Sequence, residues 1–263
     1  RATRNEPTSN ILRYNPLIPL PRVHLLGIPI DALTRREAVE HIRGLLNGSS
    51  QHHVLTPNSE MLVESVRNAG FRDVLKQGAL NLPDSAGLVM MASATGQKLP
   101  ERVTGVDTVQ DLCASLTADH PVYLLGAAPG VAEKAAVILA RRNPSLVING
   151  TFSGSPRADE AKGIIDHINA ASPHLLLVAF GAPAQDLWIH EHLASMPSVR
   201  VAMGVGGTFD FLAGTQKRAP QSLQQIHLEW LWRLIKEPRR IKRILNAVVV
   251  FPWLVMRYGK KGR

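Results

Sequence analysis

Asp84 stands in Pro83-Asp84-Ser85-Ala86-Gly87, directly behind a short apolar run at residues 79–82. A carboxylate so placed suits removal of a proton from an attacking hydroxyl. Thr56 and Asn58 hold the equivalent place in Thr56-Pro57-Asn58, behind the run at 53–56. Three glycine-bearing segments repeat the arrangement: Gly126-Ala127-Ala128-Pro129-Gly130, Gly181-Ala182-Pro183-Ala184-Gln185 and Gly204-Val205-Gly206-Gly207-Thr208-Phe209-Asp210. Open α/β sheets bind ligands beyond the carboxyl ends of their strands, so five such ends together point to a ligand site. Amides exposed in glycine loops can hold a diphosphate. Each group also has a plainer role. Thr56 and Asn58 suit helix caps, Asp84 suits a turn, and the glycines suit tight strand-to-helix connections.

Other chemistries find less support. In Gly204–Gly207 the third glycine of a dinucleotide fingerprint is replaced by Phe209, and no Gly-Lys-Ser/Thr follows as in a Walker A loop. His190-Glu191-His192 falls on a predicted helix, where residues two apart face different directions. His52-His53 opens a predicted strand and points to opposite faces. No metal site is expected from these four histidines, and no cofactor is called for. Cys113 lies in an apolar helical pattern and reads as core. As the single cysteine it can form no intramolecular disulfide, which fits a reducing compartment.

The elements that must position these groups alternate along the chain. Apolar runs at 23–28, 53–56, 79–82, 122–126, 146–149, 175–180 and 199–203 predict strands. Segments 34–46, 59–67, 131–142, 157–170 and 185–194 repeat their apolar residues at three- and four-residue steps and predict helices. Thr34 followed by Glu37 matches a capping box. Strand–helix alternation with short connections predicts an α/β fold, a Rossmann-like and mostly parallel sheet covered by helices on both faces.

The 263 residues carry a formal charge of +9, and its location is informative. Residues 233–263 hold ten Lys/Arg against Glu237 alone, while the preceding 232 residues hold 20 basic and 20 acidic side chains. The body is neutral and the excess belongs to the tail, which points to an anionic partner met at one end of the molecule. The pattern changes near Arg218-Ala219-Pro220, so we expect a mobile arm over 1–21, a catalytic domain over 22–217 and a basic helical appendage over 218–263. The apolar residues of the arm are interrupted by Arg13, Asn15 and prolines, unlike a signal peptide. The run 244–256 is too short to span a bilayer. With Trp253, Tyr258 and flanking cations it reads as an interfacial element on an anionic membrane surface. The plainer alternative is a helix packed on the body.

Taken in order, Thr56-Pro57-Asn58-Ser59-Glu60-Met61, Pro83-Asp84-Ser85-Ala86-Gly87, Arg102-Val103-Thr104-Gly105, Gly181-Ala182-Pro183-Ala184-Gln185-Asp186, Gly204–Asp210, Arg218-Ala219-Pro220 and Glu229-Trp230-Leu231-Trp232-Arg233 with Glu237-Pro238-Arg239-Arg240 form a recognisable set. From about residue 23 to 245 the chain resembles the WecG/TagA/CpsF family of bacterial glycosyltransferases, and within it the xanthan-type β-1,4-glucosyltransferase branch. The resemblance implies an inverting, metal-independent transferase, peripheral on the cytoplasmic face of the inner membrane, whose C-terminal appendage completes the site on docking. It implies Asp84 as general base, with Thr56 and Asn58 lining the sugar site. Arg102 and Gln185 would position donor or acceptor groups. Gly126, Gly130, Gly181, Gly206, Gly207 and Asp210 would hold the nucleotide, and Arg233, Arg239, Arg240 and Arg243 would neutralise diphosphate charge. Many members carry Asp-Gly where this chain has Asp84-Ser85, which bears on the local loop geometry.

The activity so implied is transfer of glucose from UDP-glucose to a glucosyl-diphosphate-polyprenol in exopolysaccharide assembly. An alternative within the family is transfer of N-acetylmannosamine or its uronic acid from a UDP donor to a lipid-diphosphate-linked amino sugar. A different class is a nucleotide-binding regulator whose basic tail grips nucleic acid. Against it, residues 233–250 lack interleaved stacking aromatics, so no nucleic-acid partner is expected. An NAD-dependent dehydrogenase lacks its fingerprint. Self-association is left open.

Overall fold

Runs of β-branched and leucine residues separated by amphipathic segments fold into one parallel sheet with helices on both sides. The computed structural model describes residues 20–217, 219–220, 223, 229–236 and 241–261. The expected arm up to residue 19, Arg218, Arg239 and Arg240 lie outside the described residues, as does the side chain of Arg233.

The chain begins with β1 (Arg22–Leu25), β2 (Ile28–Asp31) and α1 (Arg35–Asn47), then β3 (His52–Leu55), α2 (Ser59–Arg67), α3 (Ala69–Gln77), β4 (Leu80–Asn81), α4 (Ala86–Ala94) and α5 (Gly105–Ser115). It continues through β5 (Val122–Gly126), α6 (Val131–Arg142), β6 (Ile148–Phe152), α7 (Ala158–Ala171), β7 (Leu175–Ala179), α8 (Ala184–His192), β8 (Val201–Gly204) and α9 (Thr208–Leu212). After these come α10 (Glu229–Lys236), α11 (Ile241–Leu245), a π-helical turn (Asn246–Val250) and α12 (Phe251–Tyr258).

Six strands pair in the order β4-β3-β8-β7-β5-β6, every pairing parallel. β5, β7 and β8 are buried along their whole length, as strands covered on both faces must be. Side chains alternate between two cores. Leu175 and Leu177 pack with α1, α5 and α6 residues, whereas Leu176 and Val178 pack with α7 and α8 residues. The chain moves outward from β3 to β4, crosses to build β5 and β6, then returns to place β7 and β8 in the middle. The carboxyl ends of β3, β4, β7 and β8 therefore lie together.

Two expectations need correction. The strand predicted over 23–28 is an antiparallel hairpin, β1 with β2, turning at Leu26-Gly27. Both turn residues have positive φ, 54° and 78°, the sign pattern of the mirror-image turns that match strand twist. The predicted single strand missed this because Leu26 is not a customary residue for that conformation. Gly27 also meets the chain end: a Cβ there would lie 2.7 Å from the Lys261 carbonyl oxygen. Leu26 and Gly27 N–H groups donate to the carbonyls of Gly259 and Lys260 at 3.2 and 2.9 Å.

The strand predicted over 79–82 shortens to Leu80–Asn81 at the sheet edge. The hairpin braces it from outside. Asp31, fully buried, accepts the Asn81 N–H and the Arg22 Nε–H, each at 2.7 Å. The Asn81 side-chain amide donates in turn to the Pro29 and Leu75 carbonyls at 2.8 and 2.6 Å.

At the other end, Phe251, Leu254 and Val255 of α12 are buried in a cluster with hairpin and α2–α4 residues. Trp253 and Met256 on the same helix are exposed. Among the described residues no helix is long and apolar enough to cross a membrane.

Candidate active site

A cavity of about 610 Å³ opens where the carboxyl ends of β3, β4, β7 and β8 converge, within the usual range for small-molecule sites. Its wall contains Asp84, Thr56, Asn58, Gln185, Gly181, Gly206, Gly207 and Lys217 from the body, and Trp232 and Arg243 from the C-terminal segment.

The Asp84 turn is tightly specified. Its N–H donates to the Pro57 carbonyl at 3.0 Å, and its Oδ1 accepts the Gly105 N–H at 2.9 Å. That amide opens α5, so the carboxylate is held at the start of a helix. Ser85, the departure from Asp-Gly, has a role here. Its Oγ accepts the Ser59 N–H at 3.2 Å and lies 3.0 Å from the Ser59 hydroxyl, tying the turn to the start of α2. Gly87 permits the approach, since a Cβ would come within 2.4 Å of Ser59 Oγ.

Thr56 and Asn58 combine both roles raised by the sequence. Asn58 caps α2, its Oδ1 accepting the Met61 N–H at 3.0 Å, while Thr56 Oγ1 donates to the Gly204 carbonyl at 3.1 Å. Both residues line the cavity.

Gln185 is buried, and its Oε1 accepts the N–H groups of Gly181 and Gly206 at 3.1 and 3.0 Å. Two donors converging on one atom fix which end of the amide is oxygen. It clasps two loops together. The amides of Gly181 and Gly206 are thus engaged, so these glycines shape the cavity and do not offer it their N–H groups. This changes the expected way in which the loops would meet a diphosphate.

Three residues expected to hold the nucleotide are not in the wall of this cavity. Gly126 ends β5, one strand beyond β7, Gly130 lies in the loop that follows it, and neither is in the cavity wall. Gly126, with φ 97°, packs so closely on Ala179 that a Cβ would lie 2.9 Å from its carbonyl carbon, while Gly130 caps α6. Asp210 faces the loop after α9, where its Oδ1 accepts the Thr215 hydroxyl at 3.0 Å. Arg102 is also outside the wall, though it runs beside the Asp84 turn, with the Val103 N–H donating to the Pro83 carbonyl at 2.9 Å.

Arg243 reaches the cavity from α11 and its Nε donates to Glu60 Oε1 at 2.6 Å. Lys217 and Trp232 were not singled out from sequence as site residues. Trp232 stood in the Glu-Trp-Leu-Trp motif; nothing local marked Lys217. Gly105 stood in the Arg-Val-Thr-Gly motif that supplies the Asp84 partner. Among the described residues no group of three or more His, Cys, Asp or Glu is placed to hold a metal ion.

A carboxylate, polar side chains and cations are thus gathered beyond the strand ends of a parallel α/β sheet. The profile of the glycosyl transferase WecG/TagA/CpsF family matches residues 23–263, and the chain belongs to that family. It is similar to a protein of Bacillus spizizenii (strain ATCC 23059 / NRRL B-14472 / W23) named N-acetylglucosaminyldiphosphoundecaprenol N-acetyl-beta-D-mannosaminyltransferase. The two are 32% identical over 194 residues, 73% of this chain and 74% of the relative. A protein of the same name from Staphylococcus aureus (strain MRSA252) is 27% identical over 243 residues, 91% of this chain and 94% of the relative. These names agree with the amino-sugar alternative and not with the glucosyl reading.

Proposed function

We propose that this glycosyltransferase moves an N-acetylmannosaminyl group from a UDP donor onto an amino sugar linked through a diphosphate to a polyprenol. The observation that carries the reading is the meeting of Asp84, Thr56, Asn58 and Arg243 in one cavity, together with the names of the relatives. The acceptor hydroxyl attacks the anomeric carbon as Asp84 takes its proton. The bond from that carbon to the diphosphate oxygen breaks, and the configuration inverts. One base suffices, because the leaving group is already an anion and needs no proton. Its developing charge is met by Lys217 and Arg243 in the cavity wall, as charge-assisted bonds to phosphate require. Arg233, Arg239 and Arg240 are further cations of the basic segment that holds Arg243, and Arg102 flanks the base.

The acceptor would be met at an anionic membrane surface on the cytoplasmic face of the inner membrane. Supporting this, Trp253 and Met256 are exposed at 57% and 71% beside Arg257, whose guanidinium lies 5.8 Å from the Trp253 ring centre and 5.6 Å from that of Tyr258. An aromatic and apolar face edged with cations suits a headgroup boundary.

Product analysis tests the function. The enzyme is given lipid-diphosphate N-acetylglucosamine or lipid-diphosphate glucose with competing UDP-sugars. Transfer of N-acetylmannosamine to the first acceptor is expected. Preferential transfer of glucose to the second would restore the glucosyl reading, and no transfer from any donor would remove both.

A further inference from the structure

Behind the cavity lies a buried pair that the catalytic account does not use. Asp186, in the first turn of α8, has no exposed surface, and neither carboxylate oxygen has a hydrogen-bond partner among the described residues. Facing it is His53 on β3, whose Nε2 lies 3.7 Å from Asp186 Oδ1 and also lacks a hydrogen bond among the described residues. A buried carboxylate without a partner is strongly disfavoured. One imidazole N–H directed at Asp186 would satisfy both orphaned groups, after a closure of about 1 Å to ordinary hydrogen-bond length.

The position of the pair gives it a purpose. Gly204, ending β8, has no room for a side chain: a Cβ would lie 2.3 Å from Asp186 Oδ1 and 2.7 Å from Gln185 Nε2. The two neighbouring α8 residues fill the space over Gly204 together. Gln185 then clasps Gly181 and Gly206, while the Gly204 carbonyl accepts from Thr56. Whatever fixes Asp186 fixes the first turn of α8 and with it the clasp.

We propose that Asp186 and His53 are positioning residues whose pairing locks α8 to β3 and so holds the Gln185 clasp in the shape that receives the donor. The proposal rests on the reading that the Gly181 and Gly206 loops shape the donor site. The pair touches no substrate and acts through Gln185, so its signature is weaker donor binding with acceptor binding unchanged.

The test compares Asp186→Asn, His53→Gln, their combination, Gly206→Ala and Ile189→Ala. The readouts are calorimetric binding of UDP, donor and acceptor KM, kcat and melting temperature. Ile189 is fully buried on α8, three residues beyond Asp186, and serves as a control for loss of ordinary packing. Each single variant of the pair is expected to raise the donor KM and the UDP dissociation constant about tenfold, with the double variant no worse than either single one, as for residues acting as a unit. If Asp186→Asn does not fold, His53→Gln carries the same prediction. Unchanged donor binding in folded pair variants, while Gly206→Ala weakens UDP, would overturn the pairing and leave the donor site standing. Equal weakening by Ile189→Ala would also overturn it, reducing the pair to packing. No effect of Gly206→Ala on UDP would remove the donor-site reading on which the proposal rests.

Discussion

Arg243 and Glu60 stand 183 residues apart in sequence, yet the guanidinium Nε donates to the Glu60 carboxylate at 2.6 Å. The bond joins α11 to the first turn of α2, the helix that Asn58 caps, and it holds a cation at the cavity wall. The two partners should differ in cost. With side chains 50% and 30% exposed, the pair itself is worth about 0.2–1 kcal/mol, so Glu60→Gln should lower kcat/KM by no more than about fivefold. If Arg243 also meets the departing diphosphate, Arg243→Ala forfeits a charge-assisted bond of about 1.5–3 kcal/mol, roughly 10- to 150-fold in kcat/KM. Equal losses from the two changes would confine Arg243 to docking.

Asp84→Asn isolates the base. The amide oxygen can still accept the Gly105 N–H that holds the turn, so the melting temperature should barely move and UDP should bind as before. Removal of a general base costs about 10²–10⁴-fold in rate, and kcat should fall by that factor. Near-normal turnover by the folded variant would assign the proton to another group.

Much of this arrangement is legible in sequence. Strands ending at Gly126, Ala179 and Gly204 are announced by unbroken apolar runs, because strands buried on both faces leave no polar positions to blur them. α6 runs over Val131–Arg142 as its periodicity predicts, and the Thr34–Glu37 capping box forms, with Thr34 N–H donating to Glu37 Oε2 at 2.7 Å. α4 gave no such signal: Ala86–Ala94 is apolar on all sides, so no period stands out. The gathering of Thr56, Asn58 and Asp84 follows from a general property of strand ends, which any reader of the chain can apply. Membership of the cavity does not follow. Gly126 and Gly181 look alike as loop glycines, but strand order decides between them, and β5 lies one place too far along the sheet. Gln185 presents the same problem. Its sequence neighbours give no hint that its oxygen is spent on two backbone amides.

Asp31 lies far from the reacting atoms, yet its loss should be felt there. Asp31→Ala leaves the Asn81 N–H buried without its acceptor and breaks the Arg22 bond, at a cost of about 2–4 kcal/mol. For a chain of this size the melting temperature should fall on the order of 5–10 °C. β4 leads within three residues to Asp84, so kcat of the folded fraction should fall as well. A variant with full kcat and only a lower melting temperature would show that the brace serves stability alone.

The stability of the protein should narrow from both sides of neutrality, by opposite mechanisms. Burial lowers the pKa of His41, His52, His120 and His174, with His174 and Arg200 adding to the effect at His120. In that case the unfolded chain binds more protons than the folded one below about pH 6.5. Stability is therefore full above that pH and declines as acid is added. Cys113 works in the other direction. Complete burial pushes its thiol from 9.0 up to about 12, so between those values the unfolded chain releases a proton that the folded chain keeps. Each pH unit in that interval should subtract about 1.4 kcal/mol. Denaturant titrations of the protein and of Cys113→Ala at pH 7, 9 and 10.5 separate this slope from the titration of lysines and tyrosines. The difference between the two proteins should shift by about 2 kcal/mol from pH 9 to 10.5, the variant being the less sensitive to alkali. A difference independent of pH, or ready alkylation of the native thiol at pH 9, would mean that Cys113 meets solvent in the folded state.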